Sequence, residues 1–279
     1  MRGVRLVTAS GEIREIGEDE PDLLRAAQVS VGMLGVVTRL ELEVTEAFRL
    51  REQVGLRSWD DVMANWDELV AEHRHFGFFW LPTEESGTLY NLESHGETLT
   101  DQCYVKVYDE VSPDVPDDDT PGRRVDRCYR IFPMVYDPNF HELEYFVPLE
   151  RGFEALAAMR DLMLRSLPDS VYPLEVRTVG PDDALLSPSY GTPTTVISVS
   201  GEPGTDYWSY LRTVDALLAE FDARVHWGKL HFQTAETLRP RYPLWDKFVA
   251  VRERLDPNGI FGNAYLERVL GMSRQEVRR

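Results

Sequence analysis

Apolar and polar positions alternate almost from the first residue. Val4-Arg5-Leu6-Val7-Thr8 reads as a strand, Ala9-Ser10-Gly11-Glu12 as a turn, and Ile13-Arg14-Glu15-Ile16 as a second short strand. A strand with no lead-in suggests a unit that begins elsewhere. A helix is predicted over Asp19 to Val29, opened by an acidic first turn, and Gly32-Met33-Leu34-Gly35 separates it from Val36-Val37. Strict alternation through Thr38-Arg39-Leu40-Glu41-Leu42-Glu43-Val44 predicts a half-buried strand.

The section from about 48 to 240 holds three segments of helical period. Trp59, Val62, Met63, Trp66, Leu69 and Val70 share one face, with Ser58 placed as the N-cap. Phe153, Leu156, Met159, Met163 and Leu167 form a second face, and Tyr207, Tyr210, Leu211, Val214, Leu217, Leu218 and Phe221 a third. Strand-like runs lie between them: Phe76 to Leu81, Glu144 to Val147, Thr194 to Val199, and Arg224 to Phe232. Helices and strands interleave without a regular βαβ repeat. That pattern predicts an α+β fold, a mainly antiparallel sheet with helices on one face. Ser112 to Gly122, rich in proline and aspartate, reads as an exposed mobile loop, and its prolines break the alternate spacing a calcium loop requires. Asp182-Asp183 with Leu185-Leu186-Ser187-Pro188 reads as an exposed turn. After Pro243 a helix carrying Trp245, Phe248, Val249, Arg252 and Leu255 stops at Asp256-Pro257-Asn258-Gly259.

Composition narrows the partners. The chain has 279 residues, a length for one large domain or two ordinary ones. Lys+Arg number 30 against 48 Asp+Glu, a net charge of −18 that repels a phosphate backbone and an anionic bilayer. Neither nucleic acid nor membrane is therefore an expected partner. No apolar run approaches the roughly 18–20 residues of a bilayer span, and the N-terminus does not resemble a signal peptide. Two cysteines are too few for a disulfide scaffold or a structural zinc site. A soluble cytoplasmic setting is the expectation.

Three segments carry candidate chemistry. The first, His226-Trp227-Gly228-Lys229-Leu230-His231, is the densest polar run. His226 and His231 are five apart, on opposite faces of a strand, which disfavours a shared metal and with it a metal-dependent hydrolase. Lys229 and His231 are two apart and can face one cavity, where a buried lysine or histidine can stabilise a developing alkoxide or relay its proton. A strand end with a surface lysine and hydrogen-bonded histidines fits the same residues. The second segment is Leu174-Glu175-Val176-Arg177-Thr178, where alternation puts Glu175 and Arg177 on one face. They could grip a polyhydroxylated ligand or form an ordinary solvated ion pair. The third, Gly32-Met33-Leu34-Gly35, permits close backbone approach but is not a GxGxxG motif. GxSxG, P-loop, HExxH and CxxC motifs are absent from the sequence.

Taken together, several segments resemble a known family. Ala26 to Thr38, including Gly32 and Gly35, is similar to the end of the FAD-binding domain of the vanillyl-alcohol-oxidase type. Glu144-Tyr145-Phe146-Val147-Pro148, Glu175-Val176-Arg177-Thr178, the His226 to His231 run, and Asp256 to Leu266 resemble the C-terminal half of its sugar-oxidising branch. That branch contains the aldonolactone oxidases (arabinono- and gulonolactone oxidase) and the alditol oxidases. The resemblance implies three parts: residues 1–47 ending an FAD-binding domain, 48–240 forming a substrate or cap domain, and 241–279 returning to the flavin domain. It implies FAD as cofactor, a small polyol or sugar-lactone substrate, hydride transfer from a carbinol carbon to the flavin, and oxygen as the final acceptor. Lys229, Arg177 and Glu175 would be catalytic, and His226, Ser200 and His231 would line the substrate site. Gly32, Gly35, Val36, Asn263 and Tyr265 would lie against the flavin.

The family pattern also includes a long preceding FAD-binding stretch, with a glycine-rich pyrophosphate loop and a flavin-linking histidine, that this sequence does not show. The expectation is therefore weak flavin retention by this chain alone, exposed strand edges within 1–47, and a separate FAD-binding polypeptide as candidate partner. A non-catalytic sugar-binding or interaction module is the competing expectation.

Overall fold

The computed structural model describes residues 1–90, 92, 96, 98–132, 140–168 and 170–271. Strands run β1 (Gly3–Val7), β2 (Ile13–Ile16), β3 (Val36–Glu41), β4 (Arg49–Ser58), β5 (His75–Leu81), β6 (Gln102–Val111), β7 (Asp118–Thr120), β8 (Arg123–Arg127), β9 (His141–Pro148), β10 (Leu174–Val179), β11 (Thr194–Gly201) and β12 (Arg224–Val225). Helices are α1 (Pro21–Gln28), α2 (Trp59–Ala64), α3 (Trp66–Glu72), α4 (Glu84–Leu89), α5 (Cys128–Ile131), α6 (Leu149–Ser166), α7 (Tyr207–Ala219), α8 (Ala235–Leu238), α9 (Trp245–Leu255) and α10 (Ala264–Leu270). The fold is α+β, as the interleaved pattern predicts. Two compact units are present: 1–45, 180–192 and 232–279 form the first, and 46–179 and 193–231 the second.

In the first unit β2, β1 and β3 make a small antiparallel sheet. Leu23, Leu24, Trp245, Phe248, Leu266 and Val269 are buried with β1 residues Val4 and Leu6. Leu185 and Leu186 are fully buried, which corrects the exposed-turn expectation for 182–188. Only the aspartates of that turn face water, and Arg25 anchors the segment through Asp183 at 2.7 Å and through its carbonyl to the Leu185 amide. The predicted half-buried strand is also corrected. Every β3 residue is exposed, with Val36 at 57% and Leu40 at 52%, because among the described residues β3 pairs only with β1 and neither of its faces is covered.

The second unit is built on a nine-stranded sheet ordered β12-β9-β11-β10-β5-β6-β4-β8-β7, with every named strand pairing antiparallel. Period-two alternation gives it two unlike faces. Phe76, Phe78, Trp80, Val176, Ile197 and Tyr145 point to the side covered by α2, α3, α6 and α7. Trp66 meets Phe76 and Phe78 edge-on, and Tyr145 donates its hydroxyl hydrogen to Asp215 of α7. Glu144, Ser198, Glu175, Arg177, Gly77 and Lys106 share the opposite face by register.

Several expectations for this unit need correction. The helix read from Trp59 to Val70 is two helices. Ser58 caps α2 as expected, but the Asn65 side chain donates to the Asp61 carbonyl at 2.7 Å and to its carboxylate at 3.0 Å, stopping one helix and heading the next. Phe153 is 49% exposed, and α6 instead buries Gly152, Ala155, Leu156, Met159 and Met163. The 112–122 loop is partly ordered. Gly122, at φ +77°, turns β7 into β8, and Asp118 accepts from the Thr120 amide at 3.1 Å and from Arg123 at 2.7 Å. The 224–232 run is a strand only at Arg224 and Val225, with a single further bridge from Leu230 to Leu143.

Candidate functional site

The shortened strand at 224–225 is what delivers Lys229. His226 N donates to the Glu144 carbonyl at 3.0 Å and Leu230 N donates to the Glu142 carbonyl at 2.9 Å, so the turn from His226 to Leu230 is tied at both ends to β9. Gly228 N donates to His226 Nδ1 at 3.1 Å and Lys229 N to the His226 carbonyl at 3.1 Å, closing the turn on itself. Lys229 is thereby laid along two successive same-face carboxylates of β9. Its Nζ lies 2.7 Å from Glu142 Oε1 and 2.5 Å from Glu144 Oε2.

Glu144 is the hub. Arg177 Nη2 donates to the same Oε2 at 2.7 Å and Ser198 Oγ donates to it at 2.5 Å. The register explains the convergence: Glu144 pairs with Ser198 across β9 and β11, and Ser198 pairs with Glu175 across β11 and β10, one row of neighbouring side chains. Glu175 Oε1 stands 3.6 Å from Arg177 Nε. The Glu144 side chain is 4% exposed, whereas that of Arg177 is 45% exposed, so a buried anion holds cations whose heads remain reachable.

Electrostatics separates the two carboxyls. Burial alone would push Glu144 up, but the Arg177 charge and the hydrogen bonds from Lys229 and Ser198 outweigh it and hold its pKa below the ordinary value. Burial pushes Glu175 up, the neighbouring Glu142 and Glu144 add to the rise, and Arg177 and Lys229 offset only part of it. Glu144 and Glu175, sharing the same two cations, are thus driven in opposite directions.

Lys229 and Arg177 therefore meet on Glu144, with Glu175 beside Arg177. His226 packs beside them, its ring 6.4 Å from that of Phe146 on the same sheet face. Ser200 pairs in register with Glu142 and is 6% exposed, lining a separate cavity with Tyr172, Glu202 and Tyr207. His231 is buried. In the first unit Gly32 takes φ +75° with open space beside it, while a Cβ on Gly35 would lie 2.6 Å from the Val7 carbonyl oxygen. Strand packing alone thus demands the second glycine. Val36 is exposed. Asn263 caps α10, accepting from the Leu266 amide at 3.0 Å, and Tyr265 lies under the Arg268 guanidinium at 5.4 Å. Sequence reasoning missed Glu142, Glu144 and Ser198 as site residues. The signal was present: Glu142, Glu144 and Phe146 alternate with Leu143, Tyr145 and Val147, so polar groups were assigned to one face of β9.

The family described as D-arabinono-1,4-lactone oxidase matches residues 40–112 and 118–269. The chain belongs to this family. L-gulono-1,4-lactone dehydrogenase of Mycobacterium tuberculosis is 36% identical over 96% of this chain and 68% of that protein. Bovine L-gulonolactone oxidase is 28% identical over 95% of this chain and 67% of that protein, and an alditol oxidase of a Streptomyces species is 29% identical over 97% and 68%. Among solved structures, cholesterol oxidase from B. sterolicum superposes with a TM-score of 0.74 at 14% identity, covering 96% of this chain and 68% of that one, a likeness of fold. The β9, β10 and 226–231 segments all lie inside the matched range. Among the described residues no helix is long and apolar enough to cross a membrane.

Proposed function

We propose that this chain carries the substrate side of an FAD-dependent oxidoreductase that oxidises a CH–OH group of a sugar-derived substrate, an aldono-1,4-lactone or an alditol. The convergence of Lys229 and Arg177 on the buried Glu144, with Glu175 beside them, carries this reading. Bound FAD supplies the acceptor for the hydride that leaves the carbinol carbon. Lys229 and Arg177 hold the substrate oxygen as negative charge develops on it. Their heads are aimed in advance by Glu144, so little reorganisation is needed when the charge appears. Glu175, more basic than an ordinary carboxylate, takes the hydroxyl proton or hydrogen-bonds the neighbouring hydroxyls and positions them.

The residues present fit the substrate face of a flavin better than its pyrophosphate. The paired cations suit an alcohol oxygen, whereas Gly35 is required by packing on β1. Gly32, Val36, Asn263 and Tyr265 remain assigned to flavin contact, His226 and His231 to the edge of the substrate site, and Ser200 to the same edge through its pairing with Glu142 rather than through the separate cavity it lines. Most flavin contacts are assigned to polypeptide outside these residues, with a separate FAD-binding polypeptide as the partner and the cytoplasm as the setting. A non-catalytic sugar-binding module has less use for two cations fixed on one buried anion. Oxygen is the favoured final acceptor, following the relatives named oxidases.

The test is anaerobic addition of L-gulono-1,4-lactone or D-glucitol to the chain reconstituted with FAD and an FAD-binding polypeptide. Bleaching of the flavin by either supports the reading. An unbleached flavin with both, in a complex shown to hold FAD, overturns it.

A further inference from the structure

Beside the Glu144 cluster the same sheet face carries a cavity that shares Glu175 and Arg177 with it and extends to residues the oxidation does not use. A cavity of about 340 Å³ opens over β5, β6 and β10, lined among others by His75, Gly77, Lys106, Tyr108, Glu175 and Arg177. Its floor is one cross-strand row: Arg177 pairs with Gly77, and Gly77 pairs with Lys106. Neighbouring strands are about 4.8 Å apart, so the two cationic residues start from backbones roughly 10 Å apart with a glycine between them. A Cβ on Gly77 would sit 3.4 Å from Arg177 Cγ, so any side chain there would crowd the space between the cations. The glycine leaves a notch.

The walls also limit the occupant. On one side His75 pairs with Tyr108 in the next row, and Phe132 closes over both, its ring 5.1 Å from His75 and 5.5 Å from Tyr108. On the other side Glu175 pairs with Phe79, and Lys106 Nζ lies 4.8 Å above the Phe79 ring. By register Arg177 and Lys106 flank Gly77 on the cavity floor, the arginine head reaching to Glu144 and the lysine head lying over Phe79, with an aromatic wall and Glu175 as the carboxyl among the lining residues. Burial pushes Lys106 down and the nearby Glu52 and Glu175 offset only part of that, so a further anion beside its ammonium favours the charged form.

We propose that this cavity is a carboxylate subsite for the open-chain aldonate, the hydrolysed form of an aldonolactone, held between Arg177 and Lys106 over Gly77 with its hydroxylated chain running toward Lys229. The inference rests on the substrate side proposed above and extends it, because a neutral alditol of the same length has no group for the notch. The net charge of −18 supplies no attraction for an anion at long range, so binding depends on the local pair and is weak.

Titration calorimetry of the purified chain with D-gluconate, D-glucitol and acetate separates the outcomes, using the natural chain, Lys106→Met, Lys106→Arg and Lys229→Met. D-gluconate binds more tightly than D-glucitol or acetate to the natural chain. Lys106→Met weakens D-gluconate about tenfold to a hundredfold, the loss of one charge-assisted hydrogen bond, leaves D-glucitol unchanged, and Lys106→Arg restores the preference. No heat with D-gluconate, equal affinity for D-gluconate and D-glucitol, acetate binding as tightly as D-gluconate, or indifference to Lys106→Met each overturns the subsite. Lys229→Met reports on the oxidation site separately. If it weakens D-glucitol while no aldonate preference exists, the subsite is wrong and the substrate side stands. If the preference depends on Lys106 but Lys229→Met alters neither ligand, the subsite stands without the proposed oxidation chemistry.

Discussion

Glu144→Gln removes one charge and almost no volume from the centre of the cluster. In the natural chain a single carboxylate oxygen accepts from Arg177, Lys229 and Ser198, and the side chain is 4% exposed. Removing one partner of a fully buried ion pair costs about 3–5 kcal/mol. Arg177 and Lys229 are 45% and 23% exposed and recover part of their hydration, so the expected loss is about 2–3 kcal/mol. For a domain of this size that lowers the melting temperature by about 5–10 °C. The loss has a pH signature. The folded pKa of Glu144 lies below its ordinary value of 4.5, so its stabilisation is present above that value and is lost as pH falls through the lowered one. Urea unfolding followed by circular dichroism at pH 7 and at stepwise lower pH gives both quantities. The gap between the natural chain and Glu144→Gln is wide at pH 7 and closes in acid. Equal midpoints at pH 7, or a gap that does not change with pH, would show that this carboxylate does not hold the two cations.

Two other substitutions probe the same sheet. The folded pKa of Glu175 is raised, so the protonated form is favoured: that contribution is fully present below the ordinary 4.5 and is lost as pH rises through the folded value. Glu175→Gln therefore gains in melting temperature relative to the natural chain as pH is raised toward 7, and a difference that falls instead refutes the assignment. Gly152→Ala places a methyl group on the Thr195 side chain where α6 meets β11, costing about 1–3 kcal/mol, and adding Thr195→Ala recovers part of it by removing Oγ1, with Cβ at 2.8 Å still crowding the methyl. A double variant no more stable than the single one would mean that another contact limits this approach.

Much of the substrate side was legible because strand alternation is a local property. The placing of Glu175 and Arg177 on one face, with Val176 buried on the other, follows from period two and is what β10 shows. Lys229 stood out in its dense polar run, but its placement beside Glu144 was not legible, since it depends on the 226–230 turn tied to β9, a contact between segments more than eighty residues apart. Periodicity carries no information on such pairing. Glu144 was hidden for the same reason: its three donors come from three different segments. The strand β4 was not read because Glu52 breaks the alternating apolar set of Leu50, Val54 and Leu56, and Glu52 is buried with Arg124 of β8 as its counterion. Charged residues become strand interior when a neighbouring strand supplies the counterion. The exposure of β3 was misjudged because alternation sets which residues share a face but not whether anything covers it.

The central claim is that Lys229 acts on the substrate oxygen. The direct measurement is kcat with L-gulono-1,4-lactone for Lys229→Met in the FAD-loaded protein, with flavin affinity measured on the same sample. A fall in kcat of about 10²–10³-fold with flavin affinity preserved is the predicted result. An unaltered kcat would contradict the role given to Lys229 and to the cluster that positions it.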